Sequence, residues 1–169
     1  MKRLLMIAFH FPPHRGSSGL QRSLSLARHL PACGWQPEIL TASRFAYEQT
    51  SATQVELPAD LVVHRALALD AKRHLSIAGR YPGFLARPDR WRSWWLPATL
   101  RGIQLLRSGH FDAIWSTFPI ATAHRIGASL ARHSGLPWIA DLRDPMAHDG
   151  YPREISQWKA YEKVERKVF

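Results

Sequence analysis

Short runs of apolar residues alternate along the chain with longer stretches in which apolar residues recur every three or four positions. The continuous apolar run over residues 4–9 predicts a strand buried on both faces. Further strands are predicted over residues 37–42, 61–66, 111–117 and 138–140. The recurring spacing predicts helices over residues 20–30, 96–106 and 120–131, and a charged helical tail over 152–169. This alternation is typical of an α/β domain with a mainly parallel sheet and helices on both faces.

The loops that follow three of these strands carry the most unusual residues of the chain. They span residues 10–19, 116–119 and 141–150. Sheets of this type bind their ligands outside the carboxyl ends of the strands, where such loops meet. We therefore expect the functional site at this edge of the sheet.

The first of these loops places glycines and serines directly before a predicted helix, as Gly16, Ser17, Ser18 and Gly19. A helix N-terminus presents unpaired N–H groups with a partial positive charge, and glycine lets a ligand approach them closely. Arg22, one turn into the helix, adds a charged fork. The pattern predicts a site for phosphate or another anion; the alternative is a turn that needs glycine for its geometry alone. The patterns G-x-G-x-x-G and G-K-S/T are both absent, which disfavours a dehydrogenase or a P-loop ATPase.

The loop after the last short strand brings three charges together, on Asp141, Arg143 and Asp144. Two acids that flank an arginine either orient a hydroxyl substrate or form an internal ion pair, and the sequence leaves both interpretations open. Histidines also lie near this edge, among them His10 and His124, but none has metal-ligand spacing to another histidine or cysteine. We expect neither a metal site nor a cofactor.

Composition narrows the class of protein. With 169 residues, 46% of them hydrophobic, the chain suits one compact domain and neither a two-domain enzyme nor a disordered segment. Cys33 is the only cysteine, which favours a reducing cytoplasm over a disulfide scaffold. The sequence has no run of 18 apolar residues, so we expect no membrane-spanning segment.

The net charge of +10 is concentrated in one segment of the chain. Residues 72–107 contain eight Lys or Arg against one acid, and the same segment carries Trp91, Trp94 and Trp95 beside Arg90. Tryptophan among basic residues is typical of a surface that contacts anionic lipid, so one interpretation is peripheral attachment to the inner face of the membrane. The alternative is that the tryptophans pack beneath an irregular lid and the arginines are solvated. Nucleic-acid binding is a weaker rival, because no recognition motif accompanies the charge.

Three blocks of the chain, taken in order, resemble a known family. The first contains Phe-Pro-Pro at 11–13, the glycine and serine turn, Arg22, and Leu-Pro-Ala-Cys-Gly-Trp at 30–35. The second is Phe-Asp-Ala-Ile-Trp-Ser-Thr at 111–117, and the third is Leu-Pro-Trp-Ile-Ala-Asp-Leu-Arg-Asp-Pro at 136–145. The ordered set is similar to the N-terminal half of a family 4 glycosyltransferase of the GT-B fold, over most of residues 4–146.

The resemblance implies a retaining transfer of a sugar from a nucleotide-sugar donor to a lipid or glycan acceptor. It implies that residues 1–169 form one Rossmann-like, acceptor-side domain, with 67–95 as a basic Trp-rich insertion. The nucleotide is then held by a C-terminal domain or partner chain, without which we expect this chain to be inactive. The alternative is a non-catalytic acceptor- or membrane-binding module or partner subunit.

The resemblance also assigns residues to the expected site. Asp141, Arg143 and Asp144 are the candidate catalytic residues, although many family members carry a histidine at about the position of Arg143. The turn at residues 16–19 corresponds to the glycine-rich turn that approaches the donor phosphates. With it, the candidates for binding the donor phosphates or the acceptor are Arg22, Thr117 and His124.

Overall fold

The computed structural model describes residues 1–15, 17–50 and 56–168. Its centre is a five-stranded sheet with the strand order β3-β2-β1-β4-β5, in which every pair of neighbours is parallel. The strands are β1 (Lys2–Ile7), β2 (Trp35–Ala42), β3 (Val62–Ala66), β4 (Ala113–Thr117) and β5 (Trp138–Asp141). The chain therefore has a Rossmann-like α/β fold, which confirms the fold class predicted from the alternation of apolar runs and helical spacing.

Five α-helices accompany the sheet in the part of the chain that the structure describes. They are α1 (Ser18–His29), α2 (Ala71–His74), α3 (Trp95–Ser108), α4 (Ala121–Ser134) and α5 (Ile155–Glu165). Ser17 begins α1 as its cap, because its Oγ accepts the backbone N–H of Leu20 at 3.2 Å. The predicted tail over 152–169 is represented by α5, which begins and ends inside those bounds.

Alternate residues of β1 point to opposite faces of the sheet and create two apolar cores. Leu4 and Met6 pack against the leucines of α1, whereas Leu5 and Ile7 pack beneath α3 and α4. The run continues beyond the strand, since Phe9 is still only 2% exposed. Burial of one such large side chain contributes roughly 1.5–3 kcal/mol, so the two cores hold the helices on both faces.

The Trp-rich segment over residues 67–95 packs against the sheet. Trp94 is 0% exposed in the core beneath α3 and α4, and the Trp91 ring lies 4.7 Å from the Phe9 ring between centroids. The indole N–H of Trp95 donates to the Ser129 hydroxyl of α4 at 3.1 Å. Of the residues predicted to face a membrane, Trp94 is thus placed where no lipid reaches it, because core packing takes up its ring.

Two charged residues of this segment, Asp89 and Arg90, also have partners inside the protein. Arg90 pairs with Asp70, which is 0% exposed, and with Glu48. The Asp89 carboxylate accepts the backbone N–H of Thr122 at 2.7 Å and that of Trp91 at 3.0 Å. Because Thr122 lies in the first turn of α4, Asp89 stabilises the N-terminus of that helix.

Candidate functional site

The candidate site lies where β1 and β4 are neighbours at the centre of the sheet. The chain leaves β1 towards α1 on one face and leaves β4 towards α4 on the other, which makes this the topological switch point of the fold. The N-terminus of α1 opens at this point, and its first turn contains no acidic residue. Gly16 lies outside the described residues, so the turn is described from Ser17 onward.

Arg143 lies over the first turn of α1. Its backbone adopts a positive φ of 67°, and one guanidinium N–H donates to the Ser18 hydroxyl at 3.2 Å. The Nε and Nη2 atoms are enclosed by protein but have no hydrogen-bond partner among the described residues. The loop after β5 therefore presents two unused donors beside the open end of a helix.

Gly19 allows His10 and Arg143 to meet at this end of α1. A Cβ atom at position 19 would lie 2.9 Å from His10 Nδ1, 3.3 Å from Pro119 Cδ and 3.4 Å from Arg143 Nη2. Only a residue without a side chain leaves this space free. The sequence indicated glycine for close approach of a ligand, and the structure shows that it also admits the two polar side chains above it.

Two histidines extend this arrangement along the loop after β1. The rings of His10 and His14 are stacked with centroids 4.4 Å apart. Burial, and then the charges of His14 and Arg143, lower the pKa of His10 to about 3, so its ring is neutral at ordinary pH. The Nδ1 atoms of both rings are enclosed without a partner among the described residues. We name the five residues His10, His14, Ser18, Gly19 and Arg143 the edge cluster.

Asp141 takes part in an internal ion pair, but with Arg22 and not with Arg143. Its Oδ1 atom lies 3.3 Å from Arg22 Nη1, and its Oδ2 atom accepts the Thr117 hydroxyl at 2.9 Å. These contacts tie α1, β4 and β5 together beside the edge cluster. Asp144 is exposed to solvent. The structure thus brings Asp141, Arg22 and Thr117 together and leaves Asp144 outside the group.

His124 belongs to the other face of the sheet. It is 0% exposed, and its Nδ1 lies 2.8 Å from the hydroxyl of Ser116, which also accepts the Trp138 indole N–H at 2.9 Å. Burial lowers the pKa of His124 to about 4. The predicted contact between His124 and a ligand stays a prediction, and the structure gives this side chain a place in the core.

An open cavity adjoins the edge cluster along the ends of β1 and β2. Its volume is about 520 Å³, and it is lined by Pro13, Arg44, Phe45, Tyr47, Thr50 and Arg73. Tyr47 joins the two places, since its ring lies 5.1 Å from that of His14. The sequence analysis missed this cavity and the site role of His14. The only signal was two histidines flanking the Pro-Pro pair, which composition alone does not distinguish from surface residues.

Two other classes of feature are absent from residues 1–15, 17–50 and 56–168. No group of three or more His, Cys, Asp or Glu residues in these ranges is arranged to hold a metal ion. No helix in the same ranges combines the length and apolar character needed to cross a bilayer.

Comparison with known proteins adds information on the fold. No protein-family model and no curated protein sequence matches this chain. Two crystal structures of the C-terminal domain of a hydrogenase from Pyrococcus furiosus are similar, with TM-scores of 0.52 and 0.53 and identities of 16% and 14%. They cover 83% and 82% of this chain and 91% and 90% of those domains. At this identity the likeness shows a shared fold and nothing about shared chemistry.

A UGT transferase from Siraitia grosvenorii, solved in complex with UDP, is also similar. Its TM-score is 0.47 at 11% identity, over 83% of this chain and 27% of the transferase chain.

Proposed function

We propose that this chain is the acceptor-side half of a glycosyltransferase that moves a sugar from a nucleotide-sugar to a lipid or glycan acceptor. The observation that carries the proposal is the pair of Arg143 donors that have no partner among the described residues, over the open N-terminus of α1. Enclosed donors beside a helix N-terminus suit a diphosphate. The three sequence blocks that resemble family 4 glycosyltransferases include both the turn before α1 and the loop of Arg143.

In the proposed reaction these residues stabilise the leaving group. When the bond between the sugar and the diphosphate breaks, negative charge develops on the departing phosphate oxygen. Arg143 and the backbone N–H groups of the first turn of α1 are fixed before the reaction, so they stabilise that charge without rearranging. Neutral His10 adds a hydrogen-bonding ring nitrogen that brings no charge of its own.

In this proposal Asp141 is a positioning residue for Arg143. Its carboxylate holds Arg22 and Thr117 and therefore fixes β5 and α1 relative to each other. Arg143 follows β5 by two residues, so the same contacts set the height of its guanidinium over α1.

The acceptor has room in the cavity beside the edge cluster. Arg44 and Arg73 line it together with the exposed ring of Phe45, which is 59% exposed. A sugar ring stacks on an aromatic face, and the two arginines favour an acceptor that carries a phosphate or carboxylate.

The test is a titration with inorganic pyrophosphate, followed through the backbone amide signals of Ser18 and Gly19. Arg143→Gln should weaken binding about tenfold, because charge-assisted hydrogen bonds are lost while the positive φ is kept. Arg107→Gln is the matched control, since Arg107 is exposed in the last turn of α3, which leads into the start of β4 at the opposite edge of the sheet. Equal affinity in both variants would contradict the anion site.

A second measurement separates the enzyme from a binding module. We expect no sugar transfer by the 169-residue chain alone, because the nucleotide is expected to be held by a further domain or chain. Turnover of any nucleotide-sugar by the purified chain would overturn that expectation. Pyrophosphate binding that is lost in Arg143→Gln, without turnover when a donor domain is supplied, would favour the non-catalytic module.

A further inference from the structure

A second cationic cavity lies on the other side of the sheet from α1. It has a volume of about 250 Å³ and is enclosed by α4, α5 and the end of the Trp-rich segment. Its lining combines five cations with three apolar residues, namely Arg87, Arg92, Arg125, Lys163, Lys167, Pro88, Ala160 and Val164. We name it the α5 cavity.

Most of this positive charge is not neutralised by the protein. Arg87 pairs with Glu154 at 2.9 Å. Among the described residues, the other four cations have no carboxylate within 4.0 Å. Asp89, beside Arg125, is engaged by two backbone N–H groups, and its burial raises its pKa.

The like charges oppose one another in the absence of an anion. Partial burial, followed by the charges of Arg125, Arg132 and Lys163, lowers the pKa of Lys167. Burial and the neighbouring Arg92 lower the pKa of Arg125. An anion placed among these groups would remove both repulsions.

Parts of the lining are already held in position. The Arg125 guanidinium lies 5.0 Å from the centre of the Trp95 ring, and Arg92 donates to the carbonyl oxygen of Phe84. Lys163 in the last turn of α5 and Lys167 in the turn that follows the helix both line the cavity. A ligand therefore meets two arginines, Arg92 and Arg125, that are already positioned and have less side-chain entropy to lose.

We propose that the α5 cavity is a second anion site, which binds a phosphate group through Arg92, Arg125, Lys163 and Lys167. Its volume lies below the roughly 300–1,000 Å³ of pockets that enclose a drug-sized ligand, which suits a phosphate group better than a whole nucleotide. Paired arginine forks and lysine ammonium groups are the usual protein ligands of phosphate.

Two kinds of ligand carry such a phosphate group: a free phosphorylated compound and the headgroup of an acidic lipid. Arg92 also lines a neighbouring cavity of about 360 Å³, whose other walls are largely apolar and include Leu75, Phe84, Leu85 and Leu96. A phosphate attached to an apolar chain would fill both cavities at once.

The experiment uses the Arg143→Gln protein, in which the edge cluster is expected to bind anions about tenfold more weakly. Inorganic phosphate is titrated while the amide signals of Ala160 and Val164 are followed, and sedimentation is measured with phosphatidylcholine vesicles with and without phosphatidic acid. Lys163→Gln combined with Lys167→Gln removes two exposed charges. The control combines Lys159→Gln with Arg107→Gln, which removes the same charge from exposed positions outside the cavity.

We expect the double variant to weaken binding about tenfold or more relative to its control. If the double variant loses phosphate binding, a free phosphorylated compound is sufficient as the ligand. If it loses only vesicle binding, the ligand is the lipid headgroup. No binding of either probe, or equal binding by the variant and its control, overturns the proposal. Arg92→Gln provides an independent variant on a different element, because Arg92 is also exposed.

Discussion

The Trp-rich segment over 67–95 and the edge cluster are both rich in cationic or aromatic side chains, but they use them in opposite ways. In the segment, Arg90 is paired with Asp70 and Glu48, and Trp94 is buried in the core. In the edge cluster, Arg143 keeps two enclosed donors without a partner among the described residues. The difference teaches that an arginine is assigned a structural or a candidate ligand-binding role by its partners, and not by the local density of charge.

The largest effect should come from breaking the structural region. Trp94→Ala removes a fully buried ring and should lower the free energy of unfolding by about 3–5 kcal/mol, as expected when a large core side chain is truncated. Urea unfolding measures the change. Leu96→Ala is the control, since Leu96 is 55% exposed and should change stability by no more than about 0.5 kcal/mol. Similar small effects of both variants would show that Trp94 is not a core residue.

The next effect concerns two buried neutral histidines, His10 in the edge cluster and His124 on α4, the helix that the Trp-rich segment contacts. The pKa of His124 is about 4 and that of His10 about 3, against 6.5 for a free histidine. Below pH 6.5 the unfolded chain therefore binds more protons than the folded one. The contribution of each neutral histidine to the free energy of unfolding is therefore complete above pH 6.5, and it is lost as the pH falls towards 4.

We expect each histidine to account for roughly 2 kcal/mol of the stability lost between pH 7 and pH 4.5. Urea unfolding of His124→Gln at the two pH values should show a loss smaller by that amount. His133→Gln, at an exposed position of the same helix, should leave the pH dependence unchanged. A parallel pH dependence in all three proteins would show that His124 is protonated in the folded state.

A smaller effect tests the space that Gly19 leaves. Gly19→Ala places a Cβ atom 2.9 Å from His10 Nδ1, so the His10 ring must move away from Arg143. We expect a loss of about 1 kcal/mol in stability and a clear loss of pyrophosphate affinity. Ser25→Ala, at an exposed position of α1, is the control for both measurements. Unchanged pyrophosphate binding by Gly19→Ala would mean that anion binding does not depend on the close approach of His10 and Arg143.

The smallest effect has the opposite sign. Arg143 has a φ of 67°, a conformation that costs a residue with a Cβ atom about 1 kcal/mol or more. Arg143→Gly should therefore raise the free energy of unfolding by up to about 1 kcal/mol while pyrophosphate binding is lost. Thermal unfolding and the titration together test this. A variant that is less stable than the wild type would show that the guanidinium contributes to folding more than to ligand binding.

The fold followed from the sequence because its signals are local. The continuous apolar run at residues 4–9 marks the central strand, and Ser17 before the leucines of α1 marks the start of a helix. The roles of Trp94, Asp89 and the cations of the α5 cavity depend instead on distant partners. Asp89 meets Thr122 33 residues away, and Arg125 meets Lys163 only after α5 has packed on α4. No spacing rule connects such residues, so the predicted membrane-facing set included Trp94, which the structure places in the core.

The contact between Asp89 and α4 also affects how the protein unfolds. Its carboxylate joins the Trp-rich segment to the first turn of α4, at Thr122. The segment cannot detach without exposing that turn, so the two should unfold as one cooperative unit in native-state hydrogen exchange. The amide of Thr122 should then exchange at the same rate as the centre of the helix. In that case the insertion is part of the unit on which the folding of the whole sheet depends, and not a lid added to a finished domain.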